Sequence, residues 1–190
     1  SRMNPQEKNL LFGSNMWYLG EGMLGPLLVV FTERIGGDIL EISWAWAIYL
    51  VVSGVSTLCI GSISDKYSKE KIMIYGYGLN ALCTFGYLLV STPQQLFIVQ
   101  AGLGFASALA TPTWDALFEK YSGDGKKDGR AWGLAEGTPD IIMGIAVLVG
   151  GLVLTLTSFT TLFIIMGTMQ VAATIVQASV VRRRRRAPTG

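Results

Sequence analysis

No histidine occurs among the 190 residues, so any charge switch near neutral pH falls to a carboxylate. The 2 cysteines, Cys59 and Cys83, lie inside apolar runs, where they read as packed thiols and make no disulfide framework. Charge is scarce: Asp, Glu, Lys and Arg make up 15% of the chain, against about 25% in a soluble domain. No G-x-x-x-x-G-K-[ST] loop is present, which argues against direct ATP drive. The G-x-G-D element of an intramembrane aspartyl protease is also missing. We therefore expect no enzyme, no cofactor and no metal.

Apolar residues are in excess. They make up 51% of the chain, mean hydropathy is +0.45, and they come in long blocks, the mark of a membrane protein. Six runs each approach the roughly 20 residues that a helix needs to cross the hydrocarbon. They are Leu10–Thr32, Ile42–Ser64, Ile72–Val90, Gln95–Phe118, Arg130–Leu154 and Phe159–Val181. The expected fold is an all-α polytopic membrane protein of six transmembrane helices. Ser1-Arg2 ahead of Met3 reads as an expression scar. The chain then divides into a short N-terminal segment (1–9), a transmembrane domain (10–181) and a basic tail (182–190). The first run is long, contains Glu21 and lacks a small-x-small exit, so it does not read as a cleavable signal.

Charge sidedness sets the topology. Fourteen of the 15 Lys and Arg fall at the N-terminus, after runs 2 and 4, or after run 6; Arg34 alone lies on the other side. The positive-inside rule then puts both termini in the cytoplasm, in a plasma or inner membrane. Trp44, Trp46 and Trp132 sit at run ends and suit an interfacial belt. Arg182 to Arg186 read as a stop-transfer anchor, with an anionic-lipid or nucleic-acid patch as the rival; we expect no nucleic-acid partner.

The stretch Gly61-Ser62-Ile63-Ser64-Asp65-Lys66-Tyr67-Ser68-Lys69-Glu70-Lys71, between runs 2 and 3, resembles the signature loop of the major facilitator superfamily, G-x-L-[AS]-D-[RK]-x-G-[RK]-[RK]. Gly61, Asp65, Lys66 and Lys69 match; Ser68 replaces the usual Gly and Glu70 a usual base. Gln100-Ala101-Gly102-Leu103-Gly104 is similar to the Q-G-x-G stretch of the family's fourth helix, without the upstream arginine. Gly144 to Gly151 is similar to the glycine-rich antiporter stretch, with Val149 where a proline is usual. Asp128-Gly129-Arg130-Ala131 is similar to R-G-R-A at the start of the fifth helix. The glycine-rich connector Tyr121 to Arg130 divides the chain into two sets of three runs, and the resemblance implies two three-helix inverted repeats.

The resemblance covers one six-helix half of a usual transporter. Left alone, such a half would expose its substrate-facing polar groups to lipid, at several kcal/mol each. We therefore expect a parallel homodimer, or a second six-helix half, beside it. The resemblance also implies a latch: Asp65 would meet the positive end of the fifth span of the partner half, with Lys69 and Glu119 nearby. A solvated turn without a switching role is the rival.

Four acids lie within the runs: Glu21, Asp115, Glu136 and Asp140. At 1.5 Å per residue, Glu21 and Asp140 are each about 15 Å from the start of their runs, near the bilayer centre. A charge there costs roughly 2.5–3.5 kcal/mol, a cost usually retained for a pathway or a coupling site. Glu21 also fits a packing role, Asp140 the cap of a kink at Pro139, and Asp115 and Glu136 a solvated headgroup position. Ser14, Tyr18, Glu21 and Gly25 share one helical face, as do Gln100, Gly104, Ser107, Thr111 and Asp115. The expected solute and proton path is Glu21, Asp140, Tyr18, Asn15, Gln100, Thr111, Trp114, Asp115 and Glu136. Trp17, Tyr18 and Trp114 add aromatic faces, which attract cations. Gly137, Gly144 and Gly151, seven apart, are expected to permit close helix packing. The resemblance implies secondary active transport, and an acid-lined path without fixed bases points to a small neutral or cationic solute, with protons as the coupling ion. The rivals are the N-terminal half of a longer transporter and a non-transporting membrane partner.

Overall fold

The computed structural model describes residues 3–122 and 129–186. Ser1 and Arg2, most of the glycine-rich connector, and the tail beyond Arg186 lie outside the described residues. Seven helices form among those described: α1 (Pro5–Leu24), α2 (Leu27–Arg34), α3 (Ile39–Ile63), α4 (Lys69–Gly86), α5 (Pro93–Tyr121), α6 (Gly129–Leu156) and α7 (Phe159–Arg186). Short 3-10 turns, Ser64–Lys66 and Tyr87–Leu89, follow α3 and α4. Five helices, α3 to α7, are long and apolar enough to cross a membrane.

Local chemistry sets the ends. Asn4 caps α1: its Oδ1 accepts from Glu7 N at 2.9 Å, while Glu7 Oε2 accepts from Asn4 N at 2.7 Å. Asp38 and Glu41 repeat this box at α3. The first apolar run, expected as one helix, is two. Pro26 has no N–H to continue the ladder, and Gly25 takes φ 38, a backbone that favours glycine. The 20 residues of α1 thus end at Leu24, and α2 resumes after the break.

Neighbours follow an arc. From one edge to the other it runs α3, α5, α4, α7, α1, α6, and α1 also touches α5 across the middle. Two clusters fill the interior. One, near the N-terminus, includes Leu10, Met73, Leu117 and Phe118. At the far end, Phe31, Tyr87, Phe159 and Phe163 interlock, with the Tyr87 and Phe163 rings stacked at 4.9 Å. The Arg34 guanidinium lies 5.0 Å above the Phe159 ring.

Lipid is as apolar as leucine, so helices there gain from close packing rather than from the hydrophobic effect. Gly104 lies against the Tyr49 backbone and Gly150 against the Met23 carbonyl, drawing α5 to α3 and α6 to α1. Gly137, Gly144 and Gly151, the expected packing stripe, face open space instead. The close approach belongs to Gly150, one position round the helix from Gly151. The edge helix α3 buries only Ala45.

Candidate functional site

An open cavity of about 430 Å³ lies between α1, α4, α5 and α6, towards the end that carries the N-terminus. Residues three and four apart share a helical face, so each helix brings a short set. Ser14, Trp17 and Tyr18 come from α1; Thr111, Trp114 and Asp115 from α5; Trp132, Glu136, Asp140 and Met143 from α6; Tyr77 from α4. Three carboxylates thus share one wall system with four aromatic residues of α1, α5 and α6, and no Lys or Arg among the described residues lines it. The carboxylates of Asp115, Glu136 and Asp140 are exposed to the cavity. The aromatic walls are fixed from behind. Trp114 Nε1 donates to the Leu10 carbonyl at 3.0 Å, and its ring stacks on Phe118 at 5.0 Å. Trp17 meets Tyr77 edge-on at 4.7 Å.

A second cavity of about 110 Å³ lies towards the far end. Glu21 faces this one, together with Tyr49, Asn80, Thr84, Tyr87, Gln100 and Gln170. The Tyr87 hydroxyl donates to Gln100 Oε1 at 3.5 Å. Two buried polar atoms there, Asn80 Nδ2 and Gln170 Oε1, have no hydrogen-bond partner among the described residues. Met143 lines both cavities. Across the same divide, Trp17 Nε1 donates to Glu21 Oε2 at 2.9 Å.

A model of the Major Facilitator Superfamily matches residues 10–190. The chain belongs to that superfamily. It is an integral membrane protein. An MFS-type transporter of Methanocaldococcus jannaschii is 25% identical over 134 residues, 70% of this chain and 34% of the relative. Multidrug resistance protein MdtG of Salmonella typhimurium is 26% identical over 136 residues, 66% and 33% of the two chains. MdtG of Escherichia fergusonii is 24% identical over 190 residues, 97% of this chain and 46% of that protein. The chain therefore spans less than half the length of the curated relatives it matches.

In this superfamily chain the signature loop forms an exposed 3-10 turn. Gly61, at the end of α3, and Lys66 are exposed, and the exposed Asp65 carboxylate has Lys69 Nζ at 4.0 Å. Glu119 is exposed too, but its neighbour Lys120 makes the interhelical contact, 3.8 Å from the buried Glu70. The superfamily departure at Glu70 thus ties the start of α4 to the end of α5, reinforced by Tyr121 Oη to Glu70 Oε1 at 3.4 Å.

The two expected polar stripes are each divided between the cavities. Tyr18, Thr111, Trp114, Asp115, Glu136 and Asp140 line the larger one; Glu21 and Gln100 line the smaller. Asn15 lines neither: its Oδ1 accepts from Thr138 Oγ1 at 3.4 Å, in the seam between α1 and α6. Trp132 is also a cavity wall, edge-on to Phe118 at 5.5 Å. Tyr77, Tyr49, Asn80 and Gln170 were not anticipated. The polar Gln170 and Gln177 inside an apolar run were the overlooked signal.

Proposed function

We propose that this chain is one half of a secondary active transporter that moves a small neutral or cationic solute by alternating access, coupled to protons. The observation that carries this reading is the larger cavity. Aromatic faces attract cations, and carboxylates complement them. Asp115, Glu136 and Asp140 stand there with Trp17, Tyr18, Trp114 and Trp132, and with no basic residue among those described. The names of the relatives, an MFS-type transporter and multidrug resistance proteins, support the same class. Glu21 and Asp140 are the candidate proton carriers.

The arrangement of neighbours supports six spans in two three-helix repeats, with α1 and α2 together as the first span. Exchanging α1 with α5, α3 with α6 and α4 with α7 turns the contacts α3–α5 and α4–α5 into α6–α1 and α7–α1, and leaves α4–α7 and α1–α5 unchanged. That is the pattern expected of an inverted repeat.

A second half completes the site. The edge helices α3 and α6 leave Leu50, Leu58, Ile141, Leu148 and Leu152 exposed, and Gly54, Gly61, Gly144 and Gly151 meet nothing within 4 Å. Our reading is a parallel homodimer about an axis along the membrane normal, in which Asp65 latches onto the start of the partner's α6. A longer transporter of which this chain is the N-terminal half is the second reading; it is favoured by the fraction of each relative that the chain spans.

The test is flux of an organic cation such as tetraphenylphosphonium into liposomes carrying the purified chain under an imposed proton gradient. Gradient-dependent flux, lost in Asp140→Asn, is expected. No flux of cationic or neutral solutes would leave a non-transporting membrane partner. Mass measurement of the complex in mild detergent separates two copies from one.

A further inference from the structure

The smaller cavity has unmet hydrogen-bonding needs of both signs. Asn80 Nδ2 is a donor without an acceptor, and Gln170 Oε1 an acceptor without a donor; both residues are more than nine-tenths buried and line the cavity. Leaving such groups bare costs about 1–3 kcal/mol each. Water meets both needs at once, and about 110 Å³ holds several molecules. Glu21 faces this cavity rather than the larger one. Its link to the larger cavity is the indole of Trp17, whose ring is part of that cavity's wall and whose N–H bonds Glu21.

Granted the transporter reading above, on which the purpose of this arrangement rests, we infer that the smaller cavity is a water-filled proton site separate from the solute pocket, with Glu21 as its acid and Trp17 as the positioning residue that carries Glu21's charge state into the pocket wall. A hydronium in the chamber gives its proton to a Glu21 oxygen and becomes neutral water. The bond from Trp17 then changes from a charge-assisted one to a neutral one of roughly half the strength. The hold of Glu21 on the indole loosens, which changes how firmly Trp17 is set in the pocket wall. Met143, shared by both cavities, is the apolar partition that keeps solute out of the chamber. The titratable neighbours of Glu21 are Tyr18 on its own helix, Tyr49 from α3 and Tyr87 after α4. Asp115 of α5 and Asp140 of α6 act on Tyr18 from the other cavity, and α7 offers only Met166 and Gln170.

The test is nuclear magnetic resonance of tryptophan indole N–H groups in the purified full chain, titrated with acid. Trp17 is assigned by its loss in Trp17→Phe. Its resonance is expected to move with pH in the wild type and in Asp140→Asn, and to stay fixed in Glu21→Gln. If Glu21→Gln does not fold, infrared spectroscopy replaces it: Trp17→Phe shifts the carboxyl stretch that titrates in the wild type. A Trp17 resonance that ignores pH, or that follows Asp140, overturns the inference. So does a shift on exchanging choline for sodium at fixed pH, which would make the chamber a metal-cation site. Absent flux in liposomes with an intact Trp17 titration sinks the transport reading alone; flux with a silent Trp17 sinks the chamber alone.

Discussion

Gln170 of α7 lies over Gly20 of α1 and donates its amide to the Trp17 carbonyl at 2.9 Å. The device repeats two turns away, where Gln177 lies over Gly13 and donates to the Leu10 carbonyl at 3.1 Å. In each pair a glycine lets the amide approach, and the acceptor is the carbonyl three residues before it. The helices α1 and α7 are thus joined by polar bonds in an apolar medium. Buried interhelical bonds of this kind are worth about 1–2 kcal/mol at most.

Gln177 also donates to the Tyr77 hydroxyl at 3.1 Å. Gln177→Leu is expected to lower stability by about 1–2 kcal/mol, read as the thermal midpoint of the purified protein. An unchanged midpoint would mean that the bond is incidental.

Gly150 and Gly151 make a paired test. A methyl at 150 overlaps the Met23 carbonyl, whereas one at 151 meets nothing. Gly150→Ala should cost about 1–3 kcal/mol as α6 is pushed from α1. Gly151→Ala should leave the midpoint of the lone chain unchanged. Equal effects would contradict the helix crossing described.

At the N-terminal end, Asn4 caps α1 and its Nδ2 donates to the Tyr121 carbonyl at 2.6 Å. Asn4→Ala should therefore cost about 1 kcal/mol through the cap alone. Lys120 is about half exposed, and such pairs are worth roughly 0–1 kcal/mol, so Lys120→Met should cost less than Asn4→Ala. The reverse order in chemical denaturation would argue against the capping account.

Asp65 is exposed in the 3-10 turn, with Lys69 at the start of α4 as its ion-pair partner at 4.0 Å. Asp65→Ala should therefore leave stability within about 0.5 kcal/mol. If the latch is real, the same variant changes the labelling rate of a cysteine introduced at Thr111 in the cavity. A stability loss without a labelling change would make Asp65 structural.

Outside the spans, the hydrogen bond with Glu41 and that from the Leu40 N–H hold the Asp38 carboxyl below the usual carboxylate range. A lowered folded value stabilises above the unfolded value of about 3.9 and is lost as pH falls through the folded one. The protection factor of the Leu40 amide, its exchange rate relative to the intrinsic rate at each pH, should hold constant near neutral pH and fall only in acid. Fast exchange throughout would show that the cap does not form.

Much of this architecture was legible from the chain. Five of the six apolar runs became single long helices within a few residues of their expected ends, because hydrocarbon leaves a backbone no alternative to internal bonding. The break at Gly25-Pro26 was hidden by a hydropathy pattern that runs through it. The carboxylates were found because charges in apolar runs stand out; Tyr77, Tyr49 and Trp132 were not, because aromatic residues are at home in any membrane helix.

Helical period determined which polar residues of α1 and of α5 share a face. Only the packing decided that each stripe crosses two cavities, with Glu21 and Gln100 in one and Asp115 in the other. Period is a property of one helix, whereas a partition is made by side chains from several. Here Met143 and Trp17 make it, held in place by the close approach of α6 to α1 at Gly150 and Gly22.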